Sequence, residues 1–179
     1  MKIDITPARY DRVTLCLHWL TAALVVEQWV GAQVIDDFAN GAPRVAARSV
    51  HISLGLTLGI ILIARILWRA TRGRKLPPAE QGFLQVIAAA THWVLYALLV
   101  AIIPVGMFLV FVRGDSYFGL FSVPAFDAGN KILRHNVAEL HGLLANAILI
   151  VAGLHAAAAL FHHYVRHDNV LRRMMPGRG

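Results

Sequence analysis

Four stretches of this chain are each long and apolar enough to cross a lipid bilayer, and nothing else in the sequence limits its fold as strongly. A spanning helix needs roughly 20 mainly apolar residues, and such runs lie at about 13–35, 49–68, 83–112 and 137–164. Within hydrocarbon the backbone must satisfy its own hydrogen bonds, so runs of this length become helices. Pro104 falls inside the third run, where a kink is tolerated because neighbouring groups re-satisfy the freed carbonyl. Composition agrees, since only 15% of the 179 residues are charged, against about a quarter in a soluble domain. No repeat, low-complexity tract or linker divides the chain. The expected architecture is all-α, a single domain over 1–179 forming an integral membrane four-helix up-down bundle.

The 17 basic residues are distributed unevenly between the ends of these spans. Twelve (Lys2, Arg9, Arg12, Arg65, Arg69, Arg72, Arg74, Lys75, Arg166, Arg172, Arg173 and Arg178) fall on one side, and five (Arg44, Arg48, Arg113, Lys131 and Arg134) on the other. The positive-inside rule makes the first side cytoplasmic, with both termini on it. The net charge of +7 then reflects topology, and no nucleic-acid partner is expected. The apolar stretch after the basic start is too long for a cleaved leader and reads as the first span. Cys16 is the only cysteine, which excludes a disulfide framework, a CxxC metal pair and a CxxCH covalent haem attachment.

Nine histidines in so small a membrane chain point to a function, because ionisable residues within spans are rare and usually functional. His18 lies about one turn into the first span and His51 at the outer start of the second; the fourth carries His141 near its outer end and His155 near its inner end. Fourteen residues separate His141 from His155, which is nearly four whole turns, so both project from one face about 21 Å apart. Depth pairs His51 with His141 and His18 with His155. Two imidazoles from facing helices suit haem iron, which leaves two axial positions to the protein, and bis-His ligation favours electron transfer. Gly55, Gly59, Gly142, Ala145, Ala152 and Ala159 leave room for a flat macrocycle, although Gly55-x-x-x-Gly59 is also a general helix-packing motif. Zinc is the competing metal, but it favours three or four clustered ligands.

Other residues have more open readings. His92, at inner depth on the third span, rivals His18 or His155 as a ligand. His162 and His163 lie at the cytoplasmic interface, where an imidazole can exchange protons near a quinone or simply hydrogen-bond lipid and water. His135 and His167 read as loop residues. Glu27 sits mid-span on the face opposite His18, placed to meet a polar partner on another helix or in a second subunit. Arg65 and Arg69 are expected to snorkel to the interface or to pair with haem propionates. In the outer connection, Tyr117, Phe118 and Phe121 either cap the bundle or lie at the membrane interface.

His18-Trp19-Leu20, His51 within VHISLGL, Arg113-Gly114, ELHGLLAN and above all GLHAAAALFHHYVRHDNVLRRMMP together resemble the prokaryotic cytochrome b561 family, in particular its superoxide:ubiquinone oxidoreductase branch. The resemblance covers essentially the whole chain. It implies two haem b groups with axial ligands His18, His51, His141 and His155, in a bacterial inner membrane. It also implies electron flow from periplasmic superoxide through the haems to ubiquinone, with release of O2. His92 and His162 match family histidines and are candidates for the quinone and proton site. Glu27 and the outer loop from Phe121 to Lys131 depart from the family pattern.

Arg113 and Arg134 are the candidates for attracting superoxide. The outer side as a whole carries five basic and five acidic residues (Asp36, Asp37, Asp115, Asp127 and Glu139), so only a local cluster can steer the anion. Two other functions compete. One is an electron-carrier cytochrome b subunit joining a periplasmic redox protein or dehydrogenase to the quinone pool. The other is a non-redox membrane protein that carries a metal or protons. A homodimer is compatible with any of these.

Overall fold

The computed structural model describes residues 9–117, 120–127 and 129–177; Lys2, Phe118 and Arg178, singled out above, lie outside them. Four long helices, α1 (Arg12–Val34), α2 (Ala42–Thr71), α3 (Gly82–Arg113) and α4 (Lys131–Tyr164), account for most of the chain. Each is long and apolar enough to cross a membrane. Short 3-10 turns follow α1 (Ile35–Asp37) and α4 (Leu171–Met174). The helices run up and down, with α1 packed on α2, α2 on α3 and α3 on α4, while α1 and α4 touch less extensively.

The first and last described segments meet at one end of the bundle, called the terminal face below, where the Tyr10 amide donates to the Arg173 carbonyl (3.2 Å) and the Trp19 indole to Met174 (2.8 Å). The opposite end, the loop face, holds the α1–α2 and α3–α4 connections. α2 begins seven residues earlier than apolar length suggests and α4 six residues earlier. Their first turns carry basic residues (Arg44 and Arg48; Lys131 and Arg134) and project beyond the apolar spans.

At the loop face Gly114 ends α3 in the left-handed conformation (φ 72°), and its amide closes onto Val110. A Cβ there would lie 3.1 Å from Ala125 Cβ, so both backbone angle and space require glycine. The connection that follows contains a two-residue hairpin, β1 (Ser116–Tyr117) paired antiparallel with β2 (Phe121–Ser122). Tyr117 is buried and its ring lies 5.6 Å from that of Phe121. The loop therefore closes over the bundle through Tyr117, while Phe121 remains exposed.

Burial is inverted relative to a soluble bundle. Phe83, Trp93, Leu143 and Leu154 are each more than 65% exposed, which an aqueous surface would not sustain over such an area but lipid does. One cluster of the buried core is a layer of Leu58 and Leu62 from α2, Leu99 from α3 and Ile148 from α4, with Leu24 and Val25 of α1 against it. Ile148 stands seven residues from both His141 and His155, so this layer lies midway between the two histidine depths.

Asp11 fastens the terminal face. It caps α1 by accepting from the Thr14 amide (2.9 Å) and hydroxyl (2.6 Å), and it also accepts from the Trp68 indole (3.0 Å) and the Arg74 amide (2.9 Å). Partial burial pushes this carboxyl up, but the bonds from Thr14, Arg74 and Trp68 outweigh it and hold Asp11 well below the usual carboxylate range. A depressed folded pKa gives stability that is present above the unfolded value, about 3.9, and lost as pH falls through the folded one. Asp11→Ala is expected to lower stability by about 1–2 kcal/mol through the lost cap alone. Thermal melts in detergent should also show a smaller gain between pH 3 and pH 5 than in the parent, about the span of carboxylate titration. Identical profiles would remove Asp11 from this role.

Candidate haem-binding site

α2 and α4 bring His51 and His141 together with ring centroids 6.3 Å apart and planes at 80°. α1 and α4 do the same for His18 and His155, at 6.4 Å and 72°. A metal–imidazole bond is about 2 Å and the ring centre lies roughly 1 Å behind its nitrogen, so an ion held end-on between two imidazoles sets their centroids about 6 Å apart. Both pairs have that separation. His92 of α3 sits only 5.1 Å from His155, too close for an ion to lie end-on between those two rings. It is a third ring beside the inner pair.

The outer pair carries a second sign of an inserted group. The Nδ1 atom of His51 is buried without a hydrogen-bond partner, a costly state for a polar group among apolar side chains. Gly106 of α3 faces the same place, since a Cβ on it would fall 2.9 Å from His141 Cε1. The residues therefore fit a planar iron group held by two imidazoles, the donor set of a b-type haem.

Polar residues that sequence reading missed surround these rings. Gln28 of α1 donates to the His51 carbonyl (3.1 Å) and to the Glu27 carboxylate (3.2 Å). Glu27 thus finds its partner in its own neighbour, and it lines a cleft of about 230 Å³ with Gly31, Val34, Phe38 and His51. The Trp29 indole donates to Asn146 (3.1 Å), tying α1 to α4. Arg65, expected either to snorkel to the interface or to pair with haem propionates, turns inward: its Nη2 lies 3.0 Å from His18 Nδ1 and its guanidinium 5.2 Å from the Tyr96 ring centre. A guanidinium has no acceptor, so His18 here carries its proton on Nε2. No spacing rule predicts these contacts, which depend on how each helix is rotated.

At the loop face Arg113 is close enough to His141 to act on it electrostatically, and it is flanked by Arg48, Arg134, Asp115 and Asp36. Arg48 is paired with Asp115 (3.0 Å) and Arg44 with Asp36 (3.6 Å). Among the described residues Arg113 and Arg134 have no carboxylate within salt-bridge distance, so this corner is locally positive although the face as a whole is not. At the terminal face His162 Nδ1 lies 2.5 Å from Asp168 Oδ2 and 3.5 Å from Glu80 Oε1. His163 stacks edge-on against Tyr164 (4.8 Å).

A multi-pass bundle with paired imidazoles stacked at two depths is the construction of a membrane cytochrome, a class whose haem carries single electrons. The chain belongs to the prokaryotic cytochrome b561 family, whose sequence profile matches residues 9–177. It is therefore a bacterial membrane electron-transfer protein of oxidoreductase type. It is 33% identical to a "Probable superoxide oxidase CybB" of Yersinia pestis, over 94% of this chain and 96% of that one. It is 31% identical to "Cytochrome b561 homolog 2" of Escherichia coli K12, over 98% and 95% of the respective chains. A "Cytochrome b562" of Cereibacter sphaeroides is 28% identical over 93% and 94%.

Proposed function

We propose that this protein is a di-haem superoxide:ubiquinone oxidoreductase of the bacterial inner membrane, a single domain with its terminal face in the cytoplasm. The observation that carries the reading is the pair of matched imidazole separations, 6.3 Å and 6.4 Å. In this reading His51 and His141 hold an outer haem b, and His18 and His155 an inner one. The bound haems supply reversible one-electron redox chemistry, and the chain's residues set access, spacing and proton supply.

Arg113 and Arg134 draw the superoxide anion to the loop face beside His141. Two superoxide anions give up two electrons and leave as O2; at the terminal face ubiquinone takes those electrons and two protons to become ubiquinol. His92 and His162 serve the quinone end, with His162 delivering protons from the aqueous side. An iron-bound imidazole that uses Nε2 keeps its proton on Nδ1, so His18 in that state accepts nothing from Arg65. The guanidinium is then available to an anionic group such as a haem carboxylate.

A superoxide pulse applied to the haem-loaded protein is expected to reduce the haems rapidly, with reoxidation on adding a ubiquinone analogue. Arg113→Gln should slow only the first phase, and added salt should weaken it similarly by screening. Haem that stays oxidised under superoxide, yet is reduced by a periplasmic redox protein, would favour the electron-carrier alternative, to which the cytochrome names of the other relatives lend weight.

A further inference from the structure

Away from the paired histidines, one more set of ligating side chains converges among the described residues. Glu80 comes from the connection into α3, His162 from the last turn of α4 and Asp168 from the segment after α4; their donor atoms all lie within 4.8 Å of one another. The side chains are mostly covered, at 13%, 17% and 30% exposure respectively.

The backbone is shaped to bring Asp168 back over α4. His167 adopts a left-handed φ of 53°, a conformation disfavoured for a residue with a Cβ. The Asp168 amide then donates to the His162 carbonyl (3.1 Å). Asp168 Oδ1 accepts from the Val170 amide (3.0 Å), which leaves Oδ2 directed at the imidazole. Burial pushes the Asp168 carboxyl up, but the hydrogen bonds from His162 and Val170 prevail and keep it below the usual range, so it is an anion at neutral pH.

One imidazole nitrogen and two carboxylate oxygens, brought from three segments, make the three-ligand set of an open zinc centre with a fourth position for water. Arg166 opposes a metal, since it donates to Glu80 Oε1 (2.7 Å) and lies 3.9 Å from Asp168. Two carboxylates against one guanidinium still leave the cluster negative when His162 is neutral. Arg166 is thus a built-in competitor rather than a bar to binding.

We propose that Glu80, His162 and Asp168 form a divalent-cation site of zinc-type chemistry at the terminal face. Binding displaces the proton from His162 Nδ1 to solvent, as metal binding to imidazole does generally. The ion thereby removes the proton that His162 offers the quinone; this consequence rests on the reading of His162 given above, whereas the binding itself does not.

The test uses tag-free, haem-loaded protein in nanodiscs, stripped with EDTA and titrated with Zn2+ against a chromophoric chelator. One zinc per chain is expected. Glu80→Gln and Asp168→Asn should each weaken binding at least about tenfold, and Arg166→Gln should tighten it by removing the competitor. The haem spectrum of each variant reports whether the bundle is intact. Absence of stoichiometric zinc in the parent, or parental affinity in both carboxylate variants with normal haem spectra, overturns the proposal. Site-specific zinc binding that leaves ubiquinone reduction unaffected keeps the site and removes the proton role of His162.

Discussion

His141→Ala is expected to remove one of the two proposed haems and leave the other. The prediction follows from depth. The inner pair lies about 21 Å along α4 from His141, beyond the Leu58, Leu62, Leu99 and Ile148 layer, so losing the outer ligand does not open the inner site. Pyridine-haemochrome content per chain should fall to half, and the reduced-minus-oxidised spectrum should lose one component while the remainder still accepts electrons. His51→Ala should give the same phenotype, and the double variant no more than either single one, because in the proposed pairing both side chains would serve one iron. Full haem content in His141→Ala, or loss of both haems from a folded bundle, would sink the outer pairing.

Gly106→Val should produce much the same loss without altering a ligand. The first carbon added at this position lands 2.9 Å from His141 Cε1, and a valine adds two methyl groups beyond it. In an unloaded chain the ring can swing aside. A ring held toward iron, as proposed, would not have that freedom, so the substitution is expected to act on haem binding rather than on helix formation. Overpacking of this kind costs about 1–3 kcal/mol, which corresponds to roughly a 5- to 150-fold loss of affinity for the outer haem. Haem titration should show the outer site filling late while the inner one fills normally. Parental occupancy of both would mean that α3 does not bound the outer site.

Spans and histidine depths could be read from the sequence because each is a property of a single helix. Apolar length alone defines the four helices, and the interval from His141 to His155 fixes their shared face whatever α4 packs against. The beginnings of α2 and α4 were not readable that way, since the turns at 42–48 and 131–136 are interrupted by the charges of Arg44, Arg48, Lys131 and Arg134 and fall outside the apolar span that hydropathy detects. The contacts around the rings depend on the rotation of one helix against another. Arg65 meets His18 across 47 residues of sequence, and Gln28 meets His51 across 23. Likewise, a lone glycine in α3 carries no sign that an imidazole from α4 lies against it. Glu80 escaped notice because its partners come from the far end of the chain.

The aliphatic layer between the two histidine depths has an electrical consequence. Its buried members, Leu58, Leu62, Leu99 and Ile148, offer no side chain that can hold or pass a proton, whereas an electron can tunnel across them. In the proposed mechanism an electron passing from the outer pair to the inner one would cross this layer, moving charge through the membrane dielectric. About 21 Å of a core about 30 Å thick is roughly two thirds of the field. Against a potential of 100 mV, negative inside, that transfer costs about 1.5 kcal/mol per electron. In the proposed orientation, turnover charges the membrane like a capacitor, and the voltage already present sets how readily the next electron crosses.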